Sequence, residues 1–338
     1  MTPEVWGPER IEDLTALWNL SAPDEPLTAD ELAGVCFDDP GVVLATPDGA
    51  GVVAVAVRRH ERPAQRTHTP AVATHAVAEP GDVQAISIEQ SSGDVQTSGD
   101  AMVVGHVRLV TVHPESRRRG LGAWLVRAAE QWMVAQGASV SVLAAEAPIY
   151  LWPGVDASNI AAQCLAESTG YRSTGSEINM ALTSAFRAPA PDAVVVRRLT
   201  DDRDVASARS LVEATWPQWL VEFDLGVAAA CVHGAFVSAV GPDDDNDPVA
   251  VGFCAHSVLR TGWLGPMGTD PSCRSRGVGS ALVSAVATDV MVAGLADVEI
   301  SWVGPVRFYA KLGARRSRSF RSYAKVLAPD DADESTGG

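Results

Sequence analysis

An α/β chain made of two copies of one unit is what the sequence predicts, and three observations predict it. The stretch Val112-His113-Pro114-Glu115-Ser116-Arg117-Arg118-Arg119-Gly120-Leu121-Gly122 returns later as Thr269-Asp270-Pro271-Ser272-Cys273-Arg274-Ser275-Arg276-Gly277-Val278-Gly279, with Pro, Arg, Gly and Gly at the same offsets. Each copy follows an apolar run and precedes a segment whose apolar residues recur every four positions: Leu121, Leu125, Ala129 and Met133, then Val278, Leu282, Val286 and Val290. That order reads strand, turn, amphipathic helix. Between the copies lies the Pro/Ala-rich linker 188–193, so the division expected is 1–187 and 194–328.

The elements follow in order. Residues 9–18 read as a helix, and a short helix follows Thr28. Residues 41–45 and 51–57 read as strands around the Pro47-Asp48-Gly49 turn. From about 61 to 101 the chain is rich in Pro, Gly, Ser, Thr and Ala, and a mobile loop is expected there. Its His68 and His75 have no ligand spacing. Residues 102–112 form the strand before the first turn, and Gly137 ends the helix after it. A strand at 140–144, a helix at 159–168 stopped by Gly170, and two closing strands within 171–182 complete the copy. The second copy is expected to hold a strand at 194–198, a helix at 201–214, an aromatic-acidic turn, and strands at 235–240, 249–259 and 263–269. After its turn come the helix from Val278, a strand at 298–303, a helix at 305–312 with Pro at its start, a strand at 320–327 and a disordered tail, 329–338.

Composition narrows the class. At 338 residues the chain has room for two cores. Apolar content of 46% with 20% charged residues fits a soluble globular protein. No apolar run is long enough for a bilayer, and the N-terminus lacks a basic segment followed by an apolar one, so a cytoplasmic location is expected. The five cysteines are scattered without paired metal spacing, and no metal is expected. A net charge of −16 disfavours a nucleic-acid partner. Much of that excess sits in the run 243–247 and in the tail, where it serves solubility.

The repeated turn is an anion-binding device. The first N–H groups of a helix have no intrahelical partner, and the helix dipole adds partial positive charge. Glycine lets a phosphate approach the backbone, and arginine adds fork-shaped donors. A Walker loop is excluded because the only lysines are Lys311 and Lys325, and the dinucleotide fingerprint fails at Leu125 and Leu282.

The turn resembles the Arg/Gln-x-x-Gly-x-Gly/Ala motif of the GNAT N-acetyltransferases. The resemblance covers nearly the whole chain and implies two tandem acyl-CoA N-acyltransferase domains, each a mixed twisted sheet flanked by helices. Its fourth and fifth strands splay apart around acetyl-CoA. By the same resemblance, acetyl-CoA contacts fall on Met267, Gly268, Thr269, Arg274, Ser275, Arg276, Gly277, Val278, Gly279 and Ser280 in the second copy. In the first copy they fall on Val110, Val112, Arg117, Arg118, Arg119, Gly120, Leu121, Gly122 and Asn159.

The family often uses a tyrosine after the fifth strand to protonate the leaving thiolate. Tyr309, four residues before Gly313, matches it; packing is the alternative role. At the corresponding place before Gly170 stands Ala166, so the first copy is expected not to catalyse with this acid. For the general base, His256, Glu299, Ser301 and a water chain all stay open. Trp216, Trp219, Glu222 and Asp224 lie where the family covers its acceptor, and would suit an amine; a helix with Trp219 and Phe223 packed inside is the other reading. From turn glycine to closing glycine the first copy spans 50 positions (120 to 170) and the second 36 (277 to 313). The extra residues, 147–156, either shape a pocket or seal the domain interface.

The resemblance thus implies an acetyl-CoA-dependent acetyltransferase acting on a small primary amine: an amino sugar, amino acid, polyamine or aminoglycoside-like molecule. A mycothiol-synthase-like enzyme and a non-catalytic acyl-CoA sensor are the alternatives. A monomer or weak homodimer is expected.

Overall fold

The computed structural model describes residues 1–37, 40–60, 102–237 and 249–327. The loop expected at 61–101, the acidic run 243–247 and the tail 329–338 lie outside the described residues. In chain order the elements begin β1 (Glu4–Trp6), α1 (Ile11–Ser21), α2 (Ala29–Cys36), β2 (Gly41–Ala45), β3 (Gly51–His60), β4 (Met102–Val112) and α3 (Leu121–Ala135). They continue with β5 (Val140–Leu143), β6 (Val155–Asp156), α4 (Ile160–Ser168), β7 (Arg172–Thr183), β8 (Val194–Arg198), α5 (Asp202–Thr215) and α6 (Leu220–Ala228). The last are β9 (Val232–Val237), β10 (Val249–His256), β11 (Trp263–Thr269), α7 (Val278–Val292), β12 (Asp297–Ile300), α8 (Val306–Lys311) and β13 (Arg315–Val326). No helix among the described residues is long and apolar enough to cross a membrane.

The chain folds as two compact units whose boundaries differ from the contiguous division 1–187 and 194–328. Among the described residues, the first unit runs to Glu177 and resumes at Phe320; the second spans Ile178–Ser319. The reason is strand assignment. In the first unit the sheet order is β1-β2-β3-β4-β5-β13, and the final place is taken by the second half of β13, where Ala324 pairs with Val142 and Val326 with Val140. In the second unit the order is β8-β9-β10-β11-β12-β7, and the second half of β7 takes the final place, with Met180 on Ile300 and Thr183 on Asp297. Each unit therefore completes its sheet with a segment from outside its contiguous copy. The pair of closing strands expected within 171–182 is the single strand β7.

Within each of these two strand orders, the neighbouring pairs are antiparallel except β4–β5 and β11–β12, which are parallel. These two pairs also diverge. β5 accompanies β4 only from Val104 to Val107, and β12 accompanies β11 only at Trp263 and Leu264. The cause is local. Ala144 and Ala145 have φ of 57° and 55°, and Trp302 has φ of 49°, left-handed backbone that ends an extended strand. The splay implied by the family resemblance is thus present in both units.

Packing follows the periodicity. In the first unit Leu125, Val126, Ala129 and Met133 bury against Leu44, Val53, Val55 and Val107. A Cβ on Gly105 would meet Met133 Sδ at 2.2 Å, so α3 lies directly on β4. In the second unit Leu282, Val286 and Val290 cluster with Val251, Cys254, Leu264 and Ile300. The opposite face is covered by Ala208, Val212, Trp216 and Phe223 against Phe236 and Phe253.

The chain-end segment supplies core to the first unit: Phe320 and Tyr323 are fully buried and Leu327 nearly so. A Tyr323→Ala variant, which empties a buried aromatic from the cluster that holds Leu125, Met133 and Leu143, is expected to lose about 3–5 kcal/mol. Amide hydrogen exchange checks it: protection falls in α3 and β5 while that of β9 and β10 is kept.

Candidate active site

The two repeated turns have the same backbone. Each opens with a short 3-10 turn, Pro114–Ser116 or Pro271–Cys273, capped by the preceding His113 or Asp270. The next residue, Arg117 or Arg274, is extended. Arg118 and Ser275 then take left-handed φ of 63° and 62°, and Gly120 and Gly277 take 83° and 91°. Such alternation turns successive N–H groups toward one concavity. Gly120 and Gly277 are the N-caps of α3 and α7, with no side-chain cap and no acidic residue in the first turn. Three helices are closed by side chains: Thr28 makes a capping box on α2, Asn159 caps α4 and Asp201 caps α5; α1, α6 and α8 also lack a side-chain cap, but none of them has a left-handed glycine at its N-cap. The first-turn amides at Leu121 and Gly122, and at Val278, Gly279 and Ser280, are left for an anion. Nothing lies within 4 Å of a Cβ placed on Gly120, and only Pro191 Cγ, at 3.4 Å, approaches one on Gly277. The residues fit a phosphate at both places.

Two motif positions also serve the fold. A Cβ on Gly122 would meet Leu165 at 3.3 Å, and one on Gly279 would meet Phe308 at 3.1 Å, so the second glycine lets the following helix pack. Arg117 donates from Nε to Val112 O (3.0 Å) and from Nη2 to Ser21 O (2.7 Å). Its guanidinium ties the turn to β4 and α1, while Arg274 Nε lies 3.5 Å from Thr269 O. Arg118, Arg119 and Arg276 are exposed. Asn159 Oδ1 accepts from Ala162 N at 3.0 Å, which makes it a helix cap.

The units differ at the centre of the splay. At the same offset before the turn, the first unit has Arg108 and the second Gly265. Arg108 and Glu146 are each 1% exposed and form a two-pronged ion pair, Nε to Oε2 at 2.5 Å and Nη2 to Oε1 at 2.6 Å. Arg108 Nη1 donates to Val35 O at 2.7 Å, and Arg58 Nε reaches Glu146 Oε1 at 2.6 Å. Nearby Cys36 is pushed up to about 12 by burial, against the pull of Arg108. Gly265 has φ of 143° and open space where a Cβ would stand. The first unit fills this place with its own charges; in the second, nothing among the described residues lies within 4 Å of where a Cβ would stand. Arg108 inside the apolar run 107–110 was the signal in the sequence, and only a partner 38 positions away gives it meaning.

Tyr309 lies on α8, 5% exposed within the core that holds Leu282, Val283 and Ile300. Its ring meets Phe308 edge-on at 4.9 Å. Burial, with a smaller contribution from Cys254, raises the phenol pKa, so the group is held protonated. Ala166, at the corresponding place in the first unit, is buried.

The base candidates are not brought together. Glu299 Oε1 accepts from Asn179 Nδ2 at 2.7 Å, and Asn179 Oδ1 accepts from Trp302 N at 3.0 Å. This relay holds the backbone where β12 leaves the sheet. Ser301 Oγ is buried without a partner. His256 Nε2 lies 3.0 Å from Asp289 Oδ2 on α7, and burial, helped by His233, lowers its pKa against the attraction of Asp289.

The acceptor-side residues separate similarly. The aromatic-acidic stretch 215–224 forms a 3-10 turn at Pro217–Trp219 that leads into α6. Trp216 stacks on Trp219 at 5.6 Å and lies 5.9 Å from Phe253. A Cβ on Gly268 would strike the Trp216 ring at 2.5 Å, so Trp216 presses on the strand leading to the open turn. Asp224 is bound by Arg209 at 2.9 and 3.0 Å; its carboxylate serves α5–α6 packing. Glu222 is 8% exposed, and burial pushes its pKa up to about 8. The residues 147–156 fold onto their own unit: Trp152 lies 5.1 Å from Trp18 and donates to Glu25 Oε1 at 2.7 Å.

Two open helix starts, each beside a diverging parallel strand pair, place the chain among α/β proteins suited to a phosphorylated ligand. The sequence matches the Acetyltransferase (GNAT) family over residues 95–171 and 206–314. These segments make up more than half of the chain, and the chain belongs to that family of acetyltransferases. The family uses acetyl-CoA. A search of curated proteins gives no match. Among solved structures, a GCN5-related glucosamine N-acetyltransferase region of a fungal multi-domain β-N-acetylglucosaminidase is similar, with TM-score 0.65 and 17% identity over 96% of this chain. This chain spans only 38% of that protein. A GCN5-related N-acetyltransferase from Sphaerobacter thermophilus has TM-score 0.60 and 20% identity, covering 97% of this chain and 96% of its own. A tandem GNAT protein from the clavulanic acid biosynthesis pathway has TM-score 0.61 and 15% identity, covering 97% and 99%. At these identities the likeness is one of fold.

Removing one partner of the buried ion pair leaves an uncompensated charge. Glu146→Ala is expected to destabilise the first unit by about 3–5 kcal/mol, measured by chemical denaturation.

Proposed function

We propose that the protein transfers an acetyl group from acetyl-CoA to a primary amine of a small molecule, and that the second unit does the chemistry. The observation that carries this is the contrast at the splay. The second unit combines an open helix start, vacant space at Gly265 and a phenol at Tyr309. The first keeps the helix start but holds Arg108–Glu146 and Ala166 in the other two places.

In this reading the amides of Val278, Gly279 and Ser280 hold the diphosphate of acetyl-CoA, which supplies an activated thioester. Tyr309 gives its proton to the departing sulfur. Its raised pKa keeps that proton available across neutral pH. Glu222 receives the proton of the incoming ammonium. With a pKa of about 8 it is near balance in the range where a base works best. Amino sugars, amino acids, polyamines and aminoglycoside-like amines form the acceptor class.

A second reading is an acyl-CoA sensor without turnover. It is favoured by one feature, the first unit's intact turn beside a filled centre. A thiol-release assay over a panel of small amines, glucosamine included, separates the two: thiol release with any acceptor supports transfer, and tight acyl-CoA binding with no turnover supports the sensor.

Tyr309→Phe is expected to lower kcat about 100-fold with acetyl-CoA affinity unchanged; an unchanged kcat removes Tyr309 from the mechanism. For Glu222, kcat/KM rises with pH through about 8 in the parent protein, and Glu222→Gln abolishes that limb. Stability has the opposite slope. Between 4.5 and about 8 the unfolded chain has lost a proton that the folded chain keeps, so stability falls as pH rises across this window. Thermal melts of Glu222→Gln lack this component.

A further inference from the structure

Three elements of the second unit aim side chains at one point away from the open turn. His233 lies near the start of β9, His256 at the end of β10 and Asp289 in the last turns of α7. Asp289 is 11 residues beyond the first residue of α7, roughly 16 Å along the helix from the anion-binding end. His233 Nε2 lies 2.6 Å from Asp289 Oδ2 and His256 Nε2 lies 3.0 Å from the same oxygen. The two rings stack at 6.0 Å with 21° between their planes. Arg198 Nη2, from the end of β8, is a third neighbour of that oxygen at 2.7 Å.

We propose that His233 Nε2, His256 Nε2 and Asp289 Oδ2 form a binding site for a divalent transition cation of the zinc class. Two imidazole nitrogens and one carboxylate oxygen are a donor set that such cations take. The three donor atoms lie within 4.8 Å of one another. A four-coordinate cation about 2.0–2.2 Å from each ligand separates its ligands by about 3.4 Å, so side-chain shifts of about an ångström seat it. Both histidines are more than nine-tenths buried and sit on paired strands, so the nitrogens are held without the ion. Ser257 Oγ lies 3.1 Å from His256 Nδ1, an outer partner that fixes the ring.

The crowding at one oxygen is the second observation. A carboxylate oxygen has about two lone-pair sites, yet three nitrogens converge on Asp289 Oδ2. A cation placed among the two imidazoles and the carboxylate turns this competition into ligation. Arg198 is then the rival of the cation. Its side chain is 36% exposed and that of Asp289 20%; the guanidinium also donates from Nη1 to Ala230 O, so it can give up the carboxylate while tied to that carbonyl and leave a solvent-facing coordination position. The bound ion ties the end of α7 to β9 and β10. Its role is structural, and His256 is spent there rather than in proton transfer.

The full-length protein, stripped with a chelator, is titrated with Zn2+ by calorimetry and with Co2+ by visible absorption. One equivalent is expected to bind at micromolar affinity or tighter, with a four-coordinate Co2+ spectrum and a rise in Tm. Arg198→Ala is expected to bind at least threefold more tightly, because the carboxylate loses its competitor; His256→Ala is expected to bind at least tenfold more weakly and to lose the Co2+ band. The proposal is overturned if neither the parent nor Arg198→Ala binds an equivalent, or if binding and spectrum persist in His256→Ala. Circular dichroism confirms that each variant is folded, and the Arg198 result stands even where a histidine variant unfolds.

Discussion

Backbone amides at a helix start normally find a partner, and in this chain α2, α4 and α5 all have one from Thr28, Asn159 and Asp201. At α3 and α7 the partner is withheld. Left-handed glycines at 120 and 277 bring the chain into each helix without a capping side chain, and no carboxylate stands in the first turn. The unmet donors and the helix dipole remain available to an anion from solvent. The surrounding fold preserves this state. Arg117 is spent on the carbonyls of Val112 and Ser21, so it holds the turn open instead of closing it.

Two copies of the same backbone device then diverge by what fills the strand gap beside it. In one unit a long cationic side chain and its carboxylate occupy the gap, fully desolvated and mutually satisfied. In the other the chain contributes a glycine, and the same unit carries a phenol kept neutral by burial among apolar neighbours. The two copies share one backbone turn, and they differ in having arginine at 108 and glycine at 265.

Much of this was legible in the sequence because it rests on local physics. The turn, its glycines and the four-residue apolar spacing of α3 and α7 are short-range patterns, and they located both copies. Tyr309 and Ala166 were found by offset from closing glycines. What the sequence did not carry were long-range assignments. The role of Arg108 depends on Glu146, the second motif glycine serves Leu165 or Phe308, and Asp224 belongs to Arg209. Nothing local joins the histidine at 256 to His233 and Asp289, which a strand pairing and a helix bring to it. The exchange of β7 and β13 was hidden for the same reason: each strand reads as one continuous element, and nothing local marks where it changes units.

That exchange also sets the order in which the molecule can be completed during biosynthesis. The first unit needs residues 320–326 in the last place of its sheet. While the ribosome is still making the second half, the amino-terminal sheet waits with the β5 edge unpaired on that side. Neither half is therefore a self-sufficient gene product, and a fission of the reading frame at the Pro/Ala linker would strand an unfinished sheet on each polypeptide.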